Sequence, residues 1–87
     1  MHEAGPETLR KLEPLIDEVR RRPQLEEKQP GAFYAESRLF LRFMEDGEGC
    51  YADLRWPHGH EFDRFEVASD VGRRQLLSAL DSRFEKH

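Results

Sequence analysis

LFLRFMEDGEGCYADLR, residues 39–55, is the stretch whose reading decides the fold. Two β-prone runs, Leu39–Phe43 and Cys50–Arg55, flank Asp46-Gly47-Glu48-Gly49, an order that predicts an antiparallel hairpin. Successive strand side chains point to opposite faces, so parity sorts them. Leu39, Leu41 and Phe43 share one face with Cys50, Ala52 and Leu54. Arg38, Phe40, Arg42 and Met44 share the other with Tyr51, Asp53 and Arg55.

A tight primed loop at Gly47-Glu48, with Asp46 facing Gly49, fixes the register. It sets Phe43 against Ala52 and Leu41 against Leu54 on the apolar face. On the second face it sets Arg42 against Asp53, Met44 against Tyr51 and Phe40 against Arg55. A slip of two residues would bring Arg38 opposite Arg55 and strip Arg42 of its carboxylate. Cross-strand pairs contribute roughly 0.2–1 kcal/mol each, which favours the first register. A slip of one would turn the leucines toward the charged side, which burial forbids.

Upstream, Gly5-Pro6 marks a helix start, with proline where its missing N–H costs nothing. Leu9, Leu12, Ile16 and Val19 recur at helical spacing, widened by Leu15. A helix over 6–22 follows, kinked at Pro14 or broken so that Pro14 begins a second piece, because an interior proline costs about 3 kcal/mol. Arg20, Arg21 and Arg22 complement the helix dipole and Pro23 stops it. Residues 24–29 read as a polar connection pinned by Leu25. Pro30-Gly31 is a turn signal. Ala32-Phe33-Tyr34 then reads as a short strand reversing through 35–38, although one long strand over 32–45 fits the parity equally.

Downstream, Trp56-Pro57-His58-Gly59-His60-Glu61 is a loop. Phe62 to Val67 alternates again, with Phe65 and Val67 on one face and Phe62, Arg64 and Glu66 on the other. Ser69 or Asp70 caps a final helix over 70–85, whose stripe is Leu76, Leu77, Leu80 and Phe84 with Val71 at the start. Gly72 in its first turn is a mild cost. The sum is a two-layer α+β domain spanning 1–87: an N-terminal helix, a meander of three to four antiparallel strands over 32–67, and a C-terminal helix covering the apolar face.

Composition narrows the function classes. Eighty-seven residues make one domain with a thin core. Apolar and charged residues are each 37%, leaving few apolar side chains for a separate binding cavity. Residues 1–30 carry 7 acids and 6 bases and residues 31–87 carry 11 and 8, so neither part has the basic excess of a nucleic-acid binder. A single cysteine, Cys50, excludes an internal disulfide and fits a cytoplasmic protein. No apolar run approaches the ~18 residues of a membrane span, and no signal peptide follows Met1.

From Pro30 to Val67 the chain resembles a group of small bacterial proteins with no assigned function. The shared pattern is Pro-Gly-x-Phe-Tyr (Pro30, Gly31, Phe33, Tyr34), Arg-x-Phe-Leu-x-Phe (Arg38, Phe40, Leu41, Phe43), Glu45-Asp46 and Ala52-Asp53-Leu54-Arg55, with a similar Leu-x-Glu-x-x-Pro-Gly linker before it. Those proteins often carry histidines where this chain has Arg42 and Met44. The resemblance therefore implies a fold and no chemistry.

The second sheet face is the candidate site. Phe40, Arg42, Met44, Tyr51, Asp53, Arg55, Phe62 and Arg64 lie on it, beside Arg38 and Glu66. A purely solvated face has no need of three aromatic rings and a methionine. The N-terminal helix crosses it, with the arginines reaching outward along their stems; or it packs on a partner or a second copy; or bases of a single strand stack on its rings while arginines hold phosphates. The acidic balance speaks against the last.

His58-Gly59-His60, with Glu61, Asp63 or His2, is a weak candidate for a transition-metal site and so for a metal- or small-ligand-binding role. Two histidines in an exposed loop are more often solvated, and no cofactor is implied. Catalysis has no constellation behind it. Cys50 has core parity, Asp53 faces Arg42, and Ser37, Ser69, Ser78 and Ser82 lie at a turn, a cap and on a helix with no histidine signature beside them. Trp56 caps the core edge or anchors a partner. The runs Arg20–Arg22 and Arg73-Arg74 are surrounded by acids and read as solvated helix faces. The favoured reading is a non-catalytic interaction module or homodimer using the second face, without membrane contact.

Overall fold

The computed structural model describes residues 1–84. Its sheet has six antiparallel strands: β1 (His2–Glu3), β2 (Glu26–Gln29), β3 (Ala32–Ala35), β4 (Arg38–Glu45), β5 (Cys50–Arg55) and β6 (Phe62–Glu66). Three helices accompany it: α1 (Pro6–Lys11), α2 (Glu13–Arg20) and α3 (Asp70–Arg83). The order is β2-β3-β4-β5-β6, and β1 pairs with the end of β4, where β3 has already left it. The class is α+β, with six strands where alternation predicts three or four; β1 and β2 are the two that lie outside the predicted meander. The expected extension of the last helix to residue 85 lies outside the described residues.

Both additional strands are polar, which is why periodicity missed them. β2 is Glu-Glu-Lys-Gln at the sheet edge, where charged side chains and a register shift between Glu27 and Gln29 block further pairing. Arg20 donates to both Glu27 carboxylate oxygens, at 2.7 and 3.1 Å, and the same carboxylate accepts from the Gly31 N–H. β1 is two residues long and depends on β4 for its partners.

Pro14 breaks the N-terminal helix instead of kinking it: α1 ends before Leu12, and α2 begins with Pro14 inside its first turn. Leu12, Leu15, Ile16 and Val19 nevertheless face one way. They form a single core with Leu76 and Leu80 of α3 and with Phe33, Leu41, Phe43, Ala52 and Leu54 of the sheet. Arg22, just past α2, donates to both oxygens of Asp81 on α3, at 2.9 and 3.0 Å. All the helices therefore cover the same side. Val71, expected in the apolar stripe of α3, is 56% exposed.

The central register is as the alternation predicts: Leu41–Leu54, Arg42–Asp53, Phe43–Ala52 and Met44–Tyr51 are paired. The turn differs from expectation. Among the glycines only Gly31 has a positive φ, so Gly47-Glu48 is no primed loop. Instead the Asp46 carboxylate accepts from the N–H groups of Glu48 and Gly49, at 2.8 and 2.9 Å, a side-chain mimic of a backbone turn. The primed geometry appears at the β3–β4 reversal, where Glu36 (φ 52) and Ser37 (φ 69) both sit in the left-handed region. That reversal also excludes one long strand over 32–45.

The largest departure lies in β4. Phe33 pairs with Leu41 but Tyr34 pairs with Leu39, so Phe40 is the extra residue of a β-bulge. Phe40 and Leu41 both enter the core. Phe40 is 2% exposed and meets Phe84 with ring centroids 5.1 Å apart. Parity reverses upstream of the bulge, placing Leu39 on the second face beside Tyr34 and taking Arg38 off it. Arg38 donates instead to the carbonyls of Pro57 and Gly59, at 3.3 and 3.1 Å, pinning the loop before β6.

Two carboxylates fasten helix starts to the sheet. Glu45 accepts from the Gly5 N–H ahead of α1, and Glu66 accepts from the Ala68 and Ser69 N–H groups ahead of α3, where Ser69 caps Gly72 at 3.1 Å. These hydrogen bonds hold Glu45 and Glu66 below the ordinary glutamate value of 4.5; for Glu66 the Ser69 side chain is the largest cause. A carboxyl depressed on folding stabilises fully above its unfolded value and loses that contribution as pH falls through its folded value. Thermal melts followed by circular dichroism should be flat from neutral pH downward and fall below about pH 4.5. Glu66→Gln, which still accepts but does not titrate, should make that acid limb shallower; an unchanged limb would remove Glu66 as a contributor.

Candidate functional site: the helix-free face of the sheet

With the helices on one side, the opposite side of the sheet carries Tyr34 and Leu39, then Arg42, Met44, Tyr51, Asp53, Arg55, Phe62, Arg64 and Glu66. Of the three readings of this face, crossing by the N-terminal helix does not occur, since α2 packs into the core on the other side. Seven of the eight residues assigned to the face from sequence lie on it. Phe40 does not, because the bulge turns it inward. Tyr34 and Leu39 replace it, and the apolar run Leu39-Phe40-Leu41 was the available sign that strict alternation fails there.

Asp53 organises the face. It stands on β5, between β4 and β6, opposite Arg42 on one side and Arg64 on the other, and is 2% exposed although no helix covers it. Removing a carboxylate from water is costly unless cations and hydrogen bonds replace the lost hydration. Arg64 supplies most of that replacement, donating to both Asp53 oxygens at 2.8 and 3.0 Å. Arg42, the partner expected from sequence, makes one long contact of 3.4 Å. The Asp53 carboxylate holds the Arg64 guanidinium above its ordinary value.

The rings on this face are covered by the protein's own cations. The guanidinium carbons of Arg42 and Arg55 lie 4.6 and 5.0 Å from the Phe62 ring centroid. Arg64 stands 5.6 Å from Tyr51 and Lys28 5.0 Å from Tyr34. Such contacts contribute roughly 0.5–1 kcal/mol each at partly exposed positions. Arg55 donates to the Leu39 carbonyl, just before the bulge. Burial, then the charges of Arg38 and Arg42, pull Arg55 below the ordinary arginine value.

The remaining candidates lie elsewhere. His58 and His60 are both exposed. His58 borders a cavity of about 530 Å³ with Ala35, Glu36, Arg83 and Phe84, and His60 is not among its lining residues. Among the described residues, no group of three or more His, Cys, Asp or Glu side chains is placed to hold a metal ion. Cys50 packs against the core, and burial raises its thiol above the ordinary value. It borders a second cavity of about 350 Å³ with Lys11 and Arg73. Trp56 is 52% exposed with the Arg83 guanidinium 4.5 Å from its ring centroid. Among the described residues, no helix is long and apolar enough to cross a membrane.

No protein-family model matches this chain, and no curated protein or solved structure is significantly similar to it.

Proposed function

We propose that this is a cytoplasmic, non-catalytic interaction domain that docks a protein partner, or a second copy of itself, on the helix-free face of its sheet. The observation that carries this reading is the placement of every helix on the opposite side. It leaves the half-buried Leu39, Tyr51 and Phe62 among arginines on an antiparallel platform, with Met44 buried beneath them. Aromatic, methionine and arginine side chains are the residue types enriched at protein interfaces, where arginine and aromatic anchors carry much of the binding energy. The cross-strand register holds the groups in place before any partner arrives, so little ordering cost remains.

Sedimentation across a concentration series tests the self-association form. A homodimer should show a sedimentation coefficient rising with concentration, and Tyr51→Glu should abolish the rise while leaving the melting temperature close to that of the parent. A strictly monomeric protein at high micromolar concentration would remove the homodimer and leave a different protein as the partner.

A further inference from the structure

We propose that Arg42 and Arg55, gathered over the ring of Phe62, form a carboxylate clamp, and that the occupant of the helix-free face is an acidic peptide segment of a protein partner. The inference rests on the interaction-face reading above and specifies the chemistry of its partner.

The starting point is a charge imbalance. Two guanidinium groups share one ring, at 4.6 and 5.0 Å, and repel one another. Asp53, the carboxylate facing Arg42, does not neutralise them: both its oxygens are held by Arg64 at 2.8 and 3.0 Å, leaving Arg42 a single contact at 3.4 Å. Among the described residues, Arg55 has no carboxylate partner and donates only to the Leu39 carbonyl. Each fork therefore retains N–H donors without an acceptor. An oxyanion between them satisfies those donors and relieves the repulsion at once. The planar fork of arginine matches a carboxylate in a two-point contact. Leu39, half-buried at one end of the face, offers an apolar contact, so an acidic residue beside an apolar one fits best.

The same face argues against a single-stranded nucleic acid. Stacking needs open rings, yet Phe62, Tyr51 and Tyr34 are each already covered by a cation of this chain. Glu3 borders the cationic spot instead of extending it into a phosphate track, and the whole chain carries a net charge of −4.

The test titrates the blocked peptide Ac-Leu-Glu-Leu-Glu-Leu-NH2 into the full-length, isotope-labelled chain and reads the arginine Nε–Hε resonances by NMR. Saturable shifts at Arg42 and Arg55 are expected, weakening with added salt. The glutamine counterpart of the peptide and the Arg55→Gln protein should each bind about tenfold more weakly. Arg73→Gln, remote from the clamp, should bind as the parent does, and well-dispersed amide spectra report that each variant is folded. The wild-type shifts themselves require no variant. Equal binding of the glutamine peptide on the same face would overturn the clamp and leave the docking face standing. Saturation of Arg42 and Arg55 by inorganic phosphate or oligothymidine, with no response to the acidic peptide, would overturn the choice of occupant. No binding of any probe, combined with strictly monomeric sedimentation, would count against the interaction face as well as the clamp.

Discussion

Replacing Gly72 with alanine is expected to destabilise the domain by about 3 kcal/mol or more, the upper range for forcing extra atoms into a packed site. Helix propensity alone gives the opposite sign, since alanine is favoured over glycine by roughly 1 kcal/mol in a helix. The decisive quantity is a distance. A Cβ on Gly72 would lie 1.7 Å from the Glu66 carbonyl oxygen and 2.9 Å from its carbon. Both atoms are backbone at the end of β6, so no side chain can swing away. To accept a methyl group, α3 must lift from the strand that leads into it. That movement would pull the Gly72 N–H from Ser69 Oγ and Leu76 from the core. Gly47 is the control: its Cβ would meet nothing within 4 Å and its φ is ordinary, so Gly47→Ala should be neutral or slightly stabilising. Urea denaturation of both variants measures the contrast. Equal midpoints would mean that α3 does not sit against β6 as described.

Phe40→Ala should cost about 3–4 kcal/mol, the usual range for deleting a buried phenylalanine ring. In a domain of this size that lowers the melting temperature by about 15–20 °C. The prediction depends on the bulge. With unbroken alternation Phe40 would lie on the helix-free face, and its loss would cost little more than that of Phe62. With the bulge it is 2% exposed, packed on Phe84, and its removal leaves a cavity between the sheet and the end of α3. Phe62→Ala, which forfeits contacts with Arg42 and Arg55 on a partly exposed face, should cost no more than about 1–2 kcal/mol. If the two variants unfold at the same denaturant concentration, the bulge and the parity reversal above it are wrong.

Asp53 shows how the two levels of reading meet. Its pairing with Arg42 follows from counting residues back from the Asp46 turn, and the structure retains that pair. That Arg64 takes both carboxylate oxygens depends on β6 lying alongside β5, a strand contributed across the Trp56–Glu61 loop. Only the second pairing leaves Arg42 with a single long contact to Asp53, beside an Arg55 that has no carboxylate among the described residues, over Phe62. The candidate clamp was thus half visible: the residues were legible and their unequal sharing of one carboxylate was not.

The sequence by itself determined the features set by neighbours along the chain. The β4–β5 register follows from alternation, and short-range geometry narrows Pro14 to a kink or a break and the last cap to Ser69 or Asp70; the structure has the break and the Ser69 cap. Tertiary structure decided what depends on distant partners. Leu39-Phe40-Leu41 is apolar throughout, so local preference cannot choose which of them turns outward; Phe84, brought up by the last helix, supplies the contact that draws Phe40 in. Glu26–Gln29 has no apolar face and becomes a strand because Phe33 and Tyr34 offer it an open edge. The helix-free face is likewise a consequence of packing, since α1 and α2 bury the same stripe whichever side they occupy, and only the shared core with Leu76 and Leu80 sets them beside α3.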